Sequence, residues 1–285
     1  MSTTYAKTSQ DTGLQIASMC GKHLVKTRHL HYGYWNGDLD VDITNLYLAQ
    51  EHYVDLLVSH IPPEVETILD VGCGTGGIAE TLVSTGHQVD CVSPSPFLSS
   101  ETRRGLGDGC CIFECLFEDV RPSRPYDLIL FSESFQYVRL EEALQKAVDI
   151  LAPGGHVLIC DFFRKEVLGK SLVGGGHRLA HFHEAVSRYP LTLVRDIDIT
   201  DRVAPTIDVA NKTLTEVLGP MANLGLELLR TRHRVLAHIV QFALRKRIRK
   251  TCDKYFSGQR TGEHFSMFKS YRLLLYRKSA ERTMR

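Results

Sequence analysis

Short apolar runs alternate with longer amphipathic stretches along the chain from residue 66 onward. The apolar runs predict seven strands, which are Thr67–Gly72, Gln88–Ser93, Cys110–Leu116, Tyr126–Phe131, His156–Asp161, Leu191–Ile199 and Phe268–Tyr276. Helical patterns fall between these runs, and Glu141–Leu151, for example, keeps one apolar face. This alternation is typical of a doubly wound α/β sheet with helices on both of its faces.

Two stretches do not follow the alternation. Residues 1–61 precede the first strand and look helical, so we expect an N-terminal helical cap over the carboxyl ends of the strands, where such sheets bind ligands. Residues 62–285 would then form the core, with a helical insertion at about 203–259 before the last strand. The insertion is too long for a simple connection, and we expect it to form a lid or a substrate wall.

Composition narrows the functional classes. The 285 residues carry a net charge of +1, so the overall charge does not suggest nucleic acid as a partner. None of the eight cysteines forms a C-x-x-C pair, which favours reduced thiols in a cytoplasmic protein over disulfides or a zinc site. The polar Met1–Asp11 segment lacks the apolar core of a signal peptide, and no apolar run reaches the roughly 20 residues of an integral membrane segment.

The sequence DVGCGTGG at residues 70–77 fits two cofactor signatures at once. Gly72, Gly74 and Gly77 match the G-x-G-x-x-G frame of a dinucleotide site, whereas Asp70 with glycines 72, 74 and 76 matches the D-x-G-x-G-x-G frame of S-adenosylmethionine (SAM) binding. Either ligand would use the tight turn and the helix N-terminus that follows it. Both kinds of site favour an acid at the tip of the second strand, and this strand ends in Ser93-Pro94-Ser95 instead.

Two further segments, PYDLILFSESFQYV and LAPGGHVLICDF, decide between these cofactors. Together with LDVGCGTG they resemble the class I SAM-dependent methyltransferases over roughly residues 65–200. The resemblance implies SAM as the cofactor and a Rossmann-like seven-stranded doubly wound sheet, with strands 4 and 5 ending beside the bound ligand.

The sequence HLHYGYW at residues 29–35 carries a narrower resemblance. It is similar to the H-x-G-Y-W element of small-molecule methyltransferases that act on tocopherols, sterols and the sugar of rebeccamycin. That similarity makes Tyr32, Tyr34 and Trp35 candidate ligand contacts, with packing of the cap onto the core as the alternative. The serines at the tip of strand 2 also resemble this group.

The resemblance implies a set of cofactor-binding residues, namely Tyr32, Trp35, Asp70, Gly72, Cys73, Gly74, Gly76, Ser93, Ser95, Phe117, Glu118 and Ser132. The chain departs from the family at Leu116, where members often carry an aspartate that binds adenine. Phe117 could cover the adenine face and Glu118 could supply the acceptor instead. A second departure is Gln136-Tyr137, which stands where the rebeccamycin enzyme has adjacent histidines.

The catalytic candidates are Asp161, Tyr137, Gln136 and His181. Asp161 corresponds to a pocket aspartate of the resembling family and is the preferred base. His177 and His181 have i, i+4 spacing on a predicted helix, with His183 beyond, which would also suit a metal ion, although we expect none. Gly174–Gly176 ahead of them predicts a hinge of a gate over the acceptor site.

The function that we expect is transfer of a methyl group from SAM to a small natural-product-like acceptor of secondary metabolism, at oxygen. One alternative is methylation of carbon or nitrogen on a lipid-like or prenyl diphosphate acceptor. A second is a catalytically inactive SAM-fold binding subunit. The basic run Arg245–Lys250 fits a solvated helix face, a phosphorylated substrate or peripheral contact with an anionic membrane. The sequence does not identify the acceptor or the oligomeric state.

Overall fold

The computed structural model describes residues 9–169, 171–232 and 257–279. Its centre is one seven-stranded sheet with the order β3-β2-β1-β4-β5-β7-β6, in which β7 is antiparallel to both of its neighbours. The strands are β1 (Thr67–Val71), β2 (Gln88–Val92), β3 (Ile112–Phe113), β4 (Tyr126–Ser132), β5 (Leu151–Arg164), β6 (Leu191–Asp198) and β7 (Lys269–Lys278). The doubly wound sheet predicted from the alternation is confirmed, and so is the Rossmann-like seven-stranded fold that the resemblance implies.

Two strands differ in length from the sequence prediction by more than one residue. Strand β3 is only two residues long rather than seven, because it lies at the sheet edge and pairs with β2 alone. Strand β5 is 14 residues long and continues to Arg164. It begins at Leu151, before the predicted start at His156. Its last residues, Phe162–Arg164, pair with Lys269–Tyr271 of β7, so the antiparallel partner extends β5 beyond the predicted end at Asp161.

The helices are α1 (Ser9–Cys20), α2 (Leu46–Ser59), α3 (Gly77–Ser84), α4 (Pro96–Leu106), α5 (Leu140–Ile150), α6 (Leu179–Val186), α7 (Thr200–Val203), α8 (Pro205–Lys212), α9 (Gly219–Arg232) and α10 (Gly262–Phe268). π-helical turns at Gly21–Val25 and Thr213–Leu218 continue α1 and α8. The prediction that His177 lies on a helix is wrong, because α6 begins only at Leu179. His177 instead belongs to the extended segment in which its carbonyl oxygen accepts a hydrogen bond from Arg164 N at 2.8 Å.

The core has two layers, one on each face of the sheet. Successive β1 residues point to opposite faces, so that Ile68 packs with the cluster under α2 and α3, whereas Leu69 packs with the cluster under α5. Both residues are fully buried. Because the central strands are covered on both faces, they read in sequence as continuous apolar runs.

The segment between α1 and α2 crosses the carboxyl ends of the strands, because Tyr32 N donates a hydrogen bond to the Glu133 side chain just beyond β4. No helix within the described ranges is long and apolar enough to cross a membrane. The basic run Arg245–Lys250 lies outside the described residues.

Candidate active site

The glycine loop between β1 and α3 has a backbone that only glycine adopts readily. Gly72, Gly74 and Gly76 have φ angles of 76°, 59° and 87°. A side chain at Gly72 would collide with Ser134 Cβ. A side chain at Gly76 would crowd Thr102 on α4, with the nearest contact at 3.1 Å, so Gly76 serves the packing of α3 against α4.

A cavity of about 430 Å³ lies above this loop at the carboxyl ends of the central strands. Of the predicted loop residues, Asp70, Gly72, Cys73 and Gly74 line it, and Gly76 does not. The opposite walls come from the tips of β2 and β4, from the turn after β3 and from the chain segment before α2. The cavity therefore lies where open α/β sheets bind their ligands.

Asp70 is a buried acid in the part of the cavity wall that the glycine loop forms. Its side chain is almost completely shielded from solvent, and its Oδ2 atom has no hydrogen-bond partner among the described residues. Burial raises the pKa of Asp70 to about 7. An unpaired buried carboxylate oxygen is unfavourable unless a ligand supplies a donor.

The β2 and β3 tips supply the polar and aromatic wall that the sequence predicted. Ser93 and Ser95 line the cavity, and Ser95 N donates to Ser93 Oγ at 3.3 Å. Phe117 also lines the cavity, and its ring packs edge-on against the Phe131 ring with the centroids 5.1 Å apart. The adjacent Glu118 is a lining residue whose Oε1 atom accepts a hydrogen bond from Arg139 N at 2.8 Å.

The turn after β4 contributes Ser132 and Tyr137 from the predicted set. Ser132 Oγ lies 3.1 Å from Tyr53 OH, which fixes this hydroxyl to α2. Tyr137 stands at the cavity rim and is 66% exposed, so its ring is free to cover or contact a ligand.

Glu133 is a lining residue that the sequence analysis missed. It has a left-handed backbone with φ of 53°, and its Oε1 atom accepts hydrogen bonds from Tyr32 N at 2.6 Å and from Tyr271 OH at 2.8 Å. Burial raises the pKa of Glu133 to about 8. The signal available in the sequence was an acid directly after a buried strand, in FSES.

Asp161 and Gln136 form a pair beside the cavity rather than in its lining. Asp161 Oδ2 accepts from Gln136 N at 2.9 Å, and Asp161 Oδ1 lies 3.3 Å from Gln136 Nε2. Phe162 N donates to the same carboxyl at 2.7 Å. Burial raises the pKa of Asp161 to about 7, against the lowering effect of these amides. The pair therefore holds the turn after β4 against β5.

The aromatic residues of the element before α2 pack in the core and do not line the cavity. The Tyr32 ring packs against Phe162, Phe265 and Tyr271 outside the cavity lining. Trp35 is also absent from the lining. It is buried, and its Nε1 atom donates to Thr206 Oγ1 at 2.9 Å, which ties this segment to α8.

Three neighbouring residues that the sequence analysis did not select, Arg28, His29 and His31, do line the cavity. Arg28 forms an ion pair with Glu80 on α3, and its Nη2 atom donates to Thr75 O at 3.1 Å. The signal for His29 and His31 was their place within the HLHYGYW motif, directly before its aromatic residues.

The triglycine segment lies against the Asp161 pair. Lys269 Nζ donates to Gly175 O at 2.6 Å, and a side chain at Gly175 would collide with Gln136 Oε1. His181 is exposed on α6 and, like His177 and His183, does not line the cavity. Within the described residues, no cluster of three or more metal-ligating side chains occurs.

Comparisons with known proteins identify the type of domain. A family model described as a methyltransferase domain matches residues 47–192. The ubiquinone biosynthesis O-methyltransferase of Rickettsia canadensis is 24% identical over 151 residues, and a malonyl-acyl-carrier-protein O-methyltransferase of Ilyobacter polytropus is 29% identical over 123 residues. These matches cover 50% and 40% of this chain and 64% and 47% of the relatives, so less than two thirds of either relative is spanned.

Solved structures share the fold over nearly the whole chain. A putative sarcosine dimethylglycine methyltransferase from Galdieria sulphuraria has a TM-score of 0.65 at 17% identity, covering 93% of this chain and 99% of that one. Geranyl diphosphate C-methyltransferase from Streptomyces coelicolor has a TM-score of 0.65 at 15% identity, with 96% and 99% coverage. The cyclase SpnF has a TM-score of 0.66 at 18% identity, with 97% and 98% coverage.

Proposed function

The chain belongs to the methyltransferase domain family, and from this premise we propose that it transfers a methyl group from SAM to the oxygen of a small, partly apolar organic acceptor. SAM supplies a methyl group on a positively charged sulfonium, which needs a nucleophile held in line rather than further activation. The protein then has three tasks: to hold the cofactor, to position the acceptor and to take up a proton.

The cavity lining fits the cofactor. The left-handed glycines leave room for a ligand to approach the backbone, and the N-terminus of α3 favours the negative charge of an amino-acid carboxylate. Asp70 presents an unpartnered carboxylate oxygen for a cationic donor. Phe117 offers a flat apolar surface for the adenine ring, and Ser95, which makes no capping hydrogen bond to α4, is a candidate partner for the ribose hydroxyls.

The observation that carries the transfer to oxygen is Glu133. An alcohol must lose its proton as the new carbon–oxygen bond forms, and a general base works best when its pKa lies near the working pH. The carboxyl of Glu133 meets this condition because burial raises its pKa to about 8. Its Oε1 atom is engaged by Tyr32 N and Tyr271 OH, so we assign the uptake of the hydroxyl proton to Oε2.

The cavity rim favours an acceptor with apolar surface. Leu116 and Tyr137 line the cavity and are 48% and 66% exposed, and Leu14 of α1 lines it as well. Apolar side chains at the mouth of a cavity gain from covering an apolar ligand. Tyr137 OH can in addition bind the reacting oxygen.

We extend the proposal to the domain organisation. Leu14, Arg28 and His31 border the cavity, which supports residues 1–61 as a cap over the ligand. Helices α8 and α9 begin the insertion at about 203–259, which we propose as a substrate wall. All cysteines in the described part of the chain are free thiols, which supports a cytoplasmic location. We also propose that the acceptor comes from secondary metabolism.

The proposal is tested by incubating the protein with methyl-deuterated SAM and a panel of phenols, alcohols, amines and thiols, and analysing the products by mass spectrometry. Incorporation of one labelled methyl group at a hydroxyl supports it. Labelling of amines or carbon only would reassign the reaction, and tight binding of S-adenosylhomocysteine (SAH) without any labelled product would favour the inactive binding subunit.

A further inference from the structure

His31 lines the cavity with an unsatisfied acceptor. The residue is 8% exposed, and its Nε2 atom has no hydrogen-bond partner among the residues that the structure describes. A buried ring nitrogen without a hydrogen-bond partner is unfavourable, so such an atom calls for a ligand.

The other ring nitrogen fixes the tautomer of His31. Its Nδ1 atom lies 2.8 Å from Tyr32 O, and a carbonyl oxygen only accepts, so Nδ1 carries the proton and donates it. Nε2 is therefore left with a lone pair. Burial also lowers the pKa of His31 to about 3, so the ring stays neutral and Nε2 stays an acceptor at any physiological pH.

The ring is held in place by its neighbours. It stacks on Tyr53 with the ring centroids 4.4 Å apart, and the ring of His29 lies 4.6 Å away. Tyr53 is itself fixed, because its hydroxyl donates to Cys160 O at 3.2 Å and lies 3.1 Å from Ser132 Oγ. With a face on Tyr53 and the Nδ1 edge on Tyr32 O, Nε2 is the ring nitrogen left without a partner among the described residues, in a residue that borders the cavity.

The segment that carries His31 packs on the glycine loop. Arg28 O accepts a hydrogen bond from the Thr75 hydroxyl, and a side chain at Gly77 would lie 2.8 Å from the His29 ring, so this segment lies directly on the loop. Asp70, whose Oδ2 atom is also unpartnered among the described residues, lines the same cavity. Both acceptors call for N–H donors from a ligand, and an ammonium group carries three of them on one nitrogen.

We infer that His31 Nε2 accepts a hydrogen bond from the α-ammonium group of the cofactor, as a second acceptor beside the carboxylate of Asp70. The inference rests on the proposed function, because it takes SAM or SAH as the ligand. It makes His31 a binding residue that selects the amino-acid end of the cofactor, although its neutral ring contributes no charge to the site.

The test is calorimetry of SAH and of its deaminated analogue, in which hydrogen replaces the amino group, with wild-type protein and two variants. His31→Asn keeps a donor near the position of Nδ1 and removes the acceptor at Nε2, whereas His31→Gln can return an acceptor oxygen to that position. A hydrogen bond to a charged group corresponds to about tenfold or more in affinity. We expect His31→Asn to weaken SAH binding by that factor and to change the affinity for the analogue by no more than about twofold relative to wild type. We expect His31→Gln to recover most of the lost SAH affinity.

An equal loss for both ligands, or no loss for SAH in a variant whose thermal unfolding matches wild type, overturns the role of His31. The wild-type protein supplies a check that needs no variant, since it must bind SAH at least about tenfold more tightly than the analogue. If the wild-type protein binds neither ligand, the proposed cofactor is wrong and the inference falls with it. If the wild-type protein binds SAH and the deaminated analogue with equal affinity, the inference about His31 is wrong but the proposed function is not affected.

Discussion

Tyr32 and Glu133 are 101 residues apart in the sequence and are joined by a hydrogen bond of 2.6 Å from the Tyr32 backbone N–H to Glu133 Oε1. This bond connects the segment before α2 to the turn after β4. It fixes a carboxyl group in the cavity wall, and Tyr271 OH from β7 supports the same oxygen at 2.8 Å.

Glu133→Gln should lower kcat by about 10²-fold or more, because the amide cannot take up the acceptor proton. SAH affinity, measured by calorimetry, should change far less. In wild-type protein, kcat/KM for SAM should rise about tenfold per pH unit in the acid range and level off near pH 8, since the raised pKa of Glu133 keeps its carboxyl protonated and inactive at lower pH. The Gln variant should lose this rise.

Tyr271→Phe is the matched control for that prediction. The hydrogen bond from Tyr271 lowers the pKa of Glu133, so its removal should move the midpoint of the pH profile upward while activity above the midpoint is retained. An unchanged turnover of a folded Glu133→Gln variant would exclude Glu133 as the base.

Asp161→Asn separates the two candidate bases. Asp161 accepts from Gln136 N, Gln136 Nε2 and Phe162 N, and an asparagine would turn an amide N–H₂ toward at least one of these donors. We expect a loss of about 1–3 kcal/mol in the free energy of unfolding, measured with urea, and a smaller fall in kcat than for Glu133→Gln. A variant as stable as wild type with a 10²-fold loss of kcat would instead support Asp161 as the base.

Gly175→Ala should destabilise the protein, with Gly174→Ala as its control. Gly175 has φ of 78°, and a side chain there would collide with Gln136 Oε1, whereas a side chain at Gly174 would meet nothing within 4 Å. We expect the strain in Gly175→Ala to lower the free energy of unfolding, measured with urea, by about 1–3 kcal/mol. Equal stability of the two variants would show that the triglycine segment does not rest on Gln136.

The sequence predicted the sheet well because its central strands are covered on both faces. The apolar residues around Ile68 and Leu69 form a strand because they are buried, and their burial can be predicted from the local sequence alone. The glycine loop was equally predictable, since the dense glycines of residues 72–76 indicate a left-handed backbone before the structure is seen.

The sequence could not predict roles that depend on distant partners. Glu133 became a candidate only through Tyr32 N and Tyr271 OH, which come from opposite ends of the chain. Trp35 has the residue type of a ligand contact, but Thr206 on α8 binds its indole N–H and turns it into an anchor between elements. The spacing of His177 and His181 suggested a helix, yet the pairing of Arg164 with the His177 carbonyl oxygen keeps that segment extended.

The most direct test of the account is calorimetric titration of SAH into wild-type protein, Gly74→Val and Gly86→Val. Gly74 and Gly86 have φ of 59° and 97°, so valine is disfavoured by the backbone at both positions, but of the two only Gly74 lines the cavity. The account predicts one saturable site in wild type, retained in Gly86→Val and weakened at least about tenfold in a folded Gly74→Val. Absence of SAH binding to the wild-type protein, or unchanged affinity in a folded Gly74→Val variant, would contradict it.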